Sequence, residues 1–318
     1  MAITISGGVQ LSGPVILDPT SGGSPTPGGG GFQGSNFGYA SGGRAISYYN
    51  TIDKFSFSSD SNATDVGDIT LARVYVAGQS SSASGYTSGG EDPSVEFNTI
   101  DKFPFASDGN ATDVGDLTLA RREAAGQSSS ASGYTSGGFA GGDSRTIDKF
   151  PFASDGNATD VGDLTQSRFG PAGQSSTDSG YTSGGGQPGS NRIDKFAFAS
   201  DGNATDVGDL TVARGRTTGQ SSSISGYTSG GNTGDPIDTI DKFPFASDAD
   251  ATDVGDLTQA RLKTAGQSST ASGYTSGGES SPGQNSNIID KFPFASDGNA
   301  SDVGDLTVAR NGSAGQQY

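Results

Sequence analysis

The chain contains no cysteine, no tryptophan and no histidine, and only one methionine in 318 residues. Without thiols there is no disulfide framework and no thiolate chemistry. Without imidazole, Ser-His-Asp triads, Cys-His pairs and histidine metal sites are excluded. Positive charge is also scarce, with 18 Lys and Arg against 35 Asp and Glu, a formal net charge of −17. That balance disfavours nucleic acid and anionic membrane surfaces, which need clustered cations. No apolar run approaches the ~18 residues of a spanning helix, so no membrane insertion is expected. No basic residue precedes Arg44 and there is no apolar h-region, so a Sec signal peptide is not expected. Export is then expected only by lysis or as part of a particle.

Hydrophobic residues make up just 30% of the chain and glycine supplies 53 positions, a composition close to that of disordered sequence. The apolar residues, however, fall in register. An Ile-Asp-Lys-Phe start recurs at Ile52, Ile100, Ile147, Ile193, Ile240 and Ile289, in steps of 46 to 49. Twelve of the 17 phenylalanines sit in six Phe-x-Phe pairs, from Phe55/Phe57 to Phe292/Phe294. A period of this length marks stacked units that cannot bury a core alone.

Each copy divides into four short extended segments separated by turn residues. Segment a is Ala-Gly-Gln-Ser-Ser, as at Ala125 to Ser129. Segment b is Gly-Tyr-Thr-Ser, closed by Gly137-Gly138. Segment c is Ile-Asp-Lys-Phe-Pro-Phe-Ala, and segment d is Thr-Asp-Val-Gly-Asp-Leu-Thr. No stretch keeps a helical period. Four strands per unit predict an all-β, six-bladed β-propeller over residues 37–318. The first copy lacks segment a, and the last stops inside it at Ala314-Gly315-Gln316. The final strand is therefore expected to complete the first blade, closing the ring without capping repeats. Small Ala, Gly and Ser suit segment a to the crowded axis, and the Phe pairs suit segment c to the widening gaps. Pro104 predicts a bulge or an unpaired site, because proline donates nothing to a ladder.

The double glycine after an aromatic-containing strand (Tyr134 to Gly137-Gly138) and the Arg121 before the innermost strand resemble the kelch repeat. That resemblance implies the same propeller fold and, by itself, no particular function. The tryptophan usual in the fourth kelch strand has no counterpart here.

Alternating strand directions put loops b–c and d–a on one face and loops a–b and c–d on the other. The b–c tracts (44–50, 91–98, 139–145, 186–192, 232–238 and 279–288) differ in every copy. So do the triplets Val74-Tyr75-Val76, Arg122-Glu123-Ala124, Phe169-Gly170-Pro171, Gly215-Arg216-Thr217, Leu262-Lys263-Thr264 and Asn311-Gly312-Ser313. The opposite face repeats nearly the same loops six times. The variable face is the expected recognition surface, with Tyr48, Tyr49, Glu96, Phe97, Phe139, Arg145 and Arg192 as partner contacts, since aromatics and arginine anchor interfaces.

Catalysis is not expected. The pair Asp113/Asp116 has the look of an acid/base pair, but it recurs from Asp65/Asp68 to Asp302/Asp305, whereas an active site needs one asymmetric constellation. No cofactor is expected either. The loop Asp155-Gly156-Asn157-Ala158-Thr159-Asp160 has alternating oxygen ligands, faintly like a calcium loop, but lacks its sixth-position Gly and late Glu. The arginines at 73, 121, 168, 214, 261 and 310 are expected to pair with a segment-d aspartate or cap nearby carbonyls.

Residues 1–18 alternate apolar and polar around Ile3, Ile5, Val9, Leu11 and the run Val15, Ile16, Leu17, which predicts an extended anchoring arm. Residues 19–36, rich in Gly, Pro and Ser, read as a flexible linker. The arm is expected to add to another structural protein's sheet edge or to other arms. Its Ile3-Thr4-Ile5-Ser6-Gly7-Gly8 stretch resembles arms of tailed-bacteriophage virion proteins. That resemblance implies a tail, fibre or capsid-decoration subunit located in the virion, displaying the ring to a host-surface protein or glycan. The alternative is a stand-alone lectin-like or protein-binding propeller.

Overall fold

A computed structural model describes residues 33–318, and among these there are strands and no helix. Six four-stranded antiparallel sheets follow one another around an axis. Blade 2 shows the pattern: Ala77–Ser80, Ser84–Ser88, Thr99–Pro104 and Thr112–Asp116 pair in that order from the axis outward. Blade 1 takes Phe37–Ser41, Thr51–Ser56 and Thr64–Asp68 from the start of the repeats. Its innermost strand is Ala314–Gln317, with Ser41 opposite Ala314 and Tyr39 opposite Gln316. The ring is closed, and the two ends of the chain build one blade. A two-stranded hairpin, Glu279–Ser281 and Gln284–Asn285, projects between segments b and c of blade 6.

The two-residue period of segment c explains how blades hold one another. On one side of the strand, Asp101, Phe103 and Phe105 face blade 1; on the other, Ile100 and Lys102 face blade 3. Thus Phe103 and Phe105 pack on Tyr39 and Ile52 of the blade before. Ile100, Tyr86 and Leu117 receive Phe150 and Ala158 of the blade after, with Phe152 packed against them. The Tyr86 ring lies 4.8 Å from Phe152 in a stack and 5.5 Å from Phe150. The core is therefore a set of inter-blade bands, each buried ring contributing roughly 1.5–3 kcal/mol of transfer free energy. The seam has the same band, with Tyr274, Ile289 and Leu306 of blade 6 against Phe55, Phe57 and Ala63 of blade 1.

At the axis, glycine is required by contact. A Cβ on Gly126 would lie 2.1 Å from the carbonyl oxygen of Gly78, and one on Gly78 would lie 2.2 Å from that of Gly315. The glutamine of segment a stitches neighbours: Gln79 Nε2 donates to Tyr134 O at 3.0 Å and to Thr135 Oγ1 at 2.9 Å. Across the seam, Gln267 Nε2 donates to Tyr39 O at 2.9 Å.

The arginine's aspartate partner is corrected, and the choice left open at the proline is decided. The repeated arginine pairs with the aspartate of segment c, not of segment d. Arg121 Nη2 is 3.3 Å from Asp148 Oδ2 with both side chains fully buried, and it also donates to Thr135 O at 2.7 Å. Asp148 further accepts from Thr118 N at 3.0 Å and Thr118 Oγ1 at 2.6 Å. The segment-d aspartates cannot take this role because they lie at the outer edge, where Asp113 Oδ1 accepts from Gly115 N at 3.1 Å. Desolvation pushes the Arg121 guanidinium below its ordinary pKa, and Asp148 and then Asp160 pull it back. The β-bulge lies between Ile100 and Asp101, not at Pro104. Pro104 stands opposite Ser84 on its inner side and is unpaired on its outer one: the ladder with segment d ends at Lys102 opposite Thr112, two residues earlier. Phe105 N donates inward to Ala83 O at 2.9 Å, so the proline nitrogen faces outward, where no strand waits.

Candidate functional site: the variable face

The structure brings the b–c and d–a connections together on one face, as the isolated bridges between Val74 and Glu91 and between Arg122 and Phe139 show. The large hydrophobics left exposed among the described residues are Ile46, Leu71, Val95, Leu119, Val212 and Ile224. The first five belong to b–c or d–a tracts and so to this face. The chain enters the ring at the opposite end of the axis. There Gln33 Nε2 donates to Ser221 O at 2.8 Å, Gly34 N to Ser268 O at 2.8 Å and Asn36 N to Tyr318 O at 2.6 Å. Both serines end segment a, on the side of the uniform loops. Gln33 and Gly34 therefore lie on the uniform face, near the axis. The arm residues Ile3, Ile5, Val9, Leu11, Val15, Ile16 and Leu17 lie outside the described residues.

The contacts expected from sequence all lie on the variable face, but not as one patch. Tyr48 and Tyr49 are half-buried in the first b–c tract, Tyr48 beneath the Arg44 guanidinium at 5.8 Å. Glu96 Oε1 is 3.8 Å from Arg122 Nη1, and half-buried Phe97 donates its N–H to Gly90 O at 2.8 Å. Phe139 is covered by Arg122 at 4.7 Å and meets Phe169 edge-on at 6.2 Å. Arg145 and Arg192 stand at the outer rim, paired with Asp163 at 3.3 Å and Asp206 at 2.6 Å.

Sequence reasoning gave too little weight to the middle residue of each variable triplet. Tyr75, Glu123, Gly170, Arg216, Lys263 and Gly312 gather in a rosette around the axis, all in the left-handed region with φ from 49° to 68°. Their backbones form a closed circuit of hydrogen bonds. Tyr75 N donates to Gly312 O at 2.8 Å, Glu123 N to Tyr75 O at 2.9 Å and Gly170 N to Glu123 O at 2.7 Å. Thr217 N donates to Gly170 O at 3.2 Å, Lys263 N to Arg216 O at 3.1 Å and Gly312 N to Lys263 O at 2.7 Å. Glycine takes this conformation freely; the other four residue types give up roughly 1 kcal/mol or more each. These four are the only non-glycine residues with positive φ among the described residues. The glycine found at this position in two of six copies was the available signal in the sequence.

The rosette's charges are paired. Arg216 leans across Gly170 so that its Nε lies 3.6 Å from Glu123 Oε2, in a side chain only 8% exposed. Burial pushes the Glu123 carboxyl up, opposed first by Arg216 and then by Lys263. Lys263 Nζ is 2.8 Å from Glu279 Oε2 and sits 5.4 Å over the Tyr75 ring. Arg122 is paired with Glu91. The rosette encloses a cavity of about 80 Å³. Arg216 is also a wall of a larger groove, about 390 Å³, between blades 4 and 5, lined by Phe169, Pro188, Asn232 and Thr233.

On the uniform face the repeated acidic loops serve the ring. Asp155 takes Lys102 of the preceding blade at 2.9 Å, and Asn157 Oδ1 accepts from Asp116 N at 3.0 Å. Among the described residues no group of three or more acidic side chains is placed to hold a metal ion, and no helix is long and apolar enough to cross a membrane. The fold and its two faces define a six-bladed β-propeller built from near-identical repeats. No protein-family model matches the chain, and no curated protein matches it.

Proposed function

We propose that this protein is a non-enzymatic binding and display module that recognises its partner with the variable face and is tethered through the opposite one. The observation that carries this reading is the polarity of the ring. Diversified loops and five of the six exposed large hydrophobics share one face, while Gln33 and Gly34 lead the chain onto the axis at the other. Loops displayed on a rigid scaffold are where recognition residues concentrate. The sixfold Asp pairs support a non-catalytic role, since in blade 2 Asp113 is engaged in its own turn.

The finer reading is a virion subunit of a tailed bacteriophage (tail, fibre or capsid decoration), held by residues 1–18 on a neighbouring structural protein. It rests on the resemblance of the Ile3 to Gly8 stretch. The polar mouth of the rosette favours a second reading, a stand-alone lectin-like propeller. The test uses two variants of the full chain. Deleting residues 2–18 is expected to abolish incorporation into the native assembly with an unchanged melting curve. Replacing Ile46 and Val95 by aspartate is expected to leave incorporation intact and remove attachment to the target surface. Normal incorporation of the deletion overturns the tether, and unimpaired attachment of the aspartate variant overturns the recognition face.

A further inference from the structure

The rosette is an expensive place to put side chains. Two of its six positions, Gly170 and Gly312, carry the residue that the left-handed backbone favours. The other four carry Tyr75, Glu123, Arg216 and Lys263, each bearing a group that hydrogen-bonds or stacks. Nothing in the ring's closure requires them, because the backbone circuit runs through the glycines equally well. Their side chains converge on the cavity at the mouth, and Arg216 reaches from it into the groove beside Phe169 and Asn232.

From this arrangement we infer that the mouth of the variable face and its adjoining groove bind a neutral carbohydrate. A sugar edge would enter the rosette, its oxygens accepting from Arg216 and Lys263 and its hydroxyls exchanging hydrogen bonds with the Tyr75 hydroxyl. The inference rests on the reading that the variable face is the recognition surface, and names its ligand class. Three features select a neutral polyol over an anion. The cations are already matched, Arg216 by Glu123, Lys263 by Glu279 and Arg122 by Glu91. The protein as a whole carries −17 and repels anions. Donors stand beside acceptors, Arg216 by Glu123 at 3.6 Å and Lys263 by Glu279 at 2.8 Å, as hydroxyl groups need. The size agrees: about 80 Å³ at the mouth holds a few hydroxyl-sized groups. The groove of about 390 Å³ lies in the range of small-molecule sites and accommodates the rest of a sugar ring. Glu123 acts as a positioning residue, fixing Arg216 from below.

The test is ligand-observed NMR on the full chain with glucose, galactose, mannose and N-acetylglucosamine, each to about 50 mM, with inorganic phosphate as competitor. At least one sugar is expected to bind. Arg216→Gly and Tyr75→Gly are each expected to weaken it at least tenfold while the far-UV circular dichroism of the ring is unchanged, because glycine takes the left-handed backbone freely. Arg216→Gln and Tyr75→Leu, which keep a side chain in place, are expected to show the same loss and guard against a folding artefact. No binding of any of the four sugars overturns the inference, as does undiminished binding by both glycine variants. Displacement by millimolar phosphate overturns it in favour of an anion site. A partner lost in the Ile46/Val95 aspartate variant but held by Arg216→Gly also overturns it, leaving the recognition face standing.

Discussion

Replacing Asp148 by alanine tests whether the buried arginine–aspartate links hold the blades together. The carboxylate is fully buried, pairs with Arg121 at 3.3 Å and accepts from Thr118 N and Oγ1 at 3.0 and 2.6 Å. Its removal strands a guanidinium that is itself without solvent contact, and such a broken pair costs about 3–5 kcal/mol. For a chain of this size that is a fall of roughly 5–8 °C in the melting midpoint. Removing both charges, as Arg121→Met with Asp148→Leu, leaves no unpaired ion. The loss should then shrink to about 1–2 kcal/mol, from the two Thr118 donors left unmatched. Guanidinium melts followed by far-UV circular dichroism or tyrosine fluorescence give both values. The seam supplies the internal control: Asp53 there pairs with Arg310 at 3.2 Å and accepts from Thr307 N and Oγ1 at 3.0 and 2.6 Å. Asp53→Ala should cost as much as Asp148→Ala. A cost under 1 kcal/mol for Asp148→Ala, or a seam variant much milder than its equivalent, would refute the reasoning.

Gly126→Ala should be severely destabilising in a thermal melt, because the new methyl group meets the Gly78 carbonyl oxygen at 2.1 Å. Gly109→Ala, with nothing within 4 Å of the added carbon, should change stability by no more than about 0.5 kcal/mol. Alkaline titration gives a further expectation. Burial raises the phenols of Tyr39, Tyr86, Tyr134, Tyr181, Tyr227 and Tyr274 above the ordinary value of 10.0. A raised folded-state pKa means stability that is whole below the unfolded tyrosine value and lost as pH climbs past it. Absorbance near 295 nm should therefore show these six ionising together with unfolding, and early, non-cooperative ionisation of them all would contradict the packing.

The ring, its blade count and its two faces were legible because they follow from period and order alone. Segment a missing at one end and present at the other announced the pairing of Ala314–Gln317 with Phe37–Ser41. The partner of the repeated arginine was not legible. Asp101 stands beside Lys102 in a run that reads as solvated charge, yet alternation sends the lysine to Asp155 at the rim and the aspartate into a sealed gap. Deciding which neighbour fills that gap needs the third dimension. Pro104 drew attention as a disturbance, while the bulge sits at Ile100, where no residue type advertises it. The recognition candidates chosen for bulk and charge fell on the variable face but were scattered across it. The axial quartet was hidden inside variable triplets, because a backbone dihedral angle leaves no mark on a sequence except where glycine appears.

The contact between one axial glycine and the carbonyl of the next sets more than local packing. The same abutment recurs between every pair of neighbours, the seam included, so the innermost strands touch all the way round and leave no room for a side chain between them. Loops at the periphery can drift in sequence at little cost, whereas at the hub each of these six positions is closed to every residue but one.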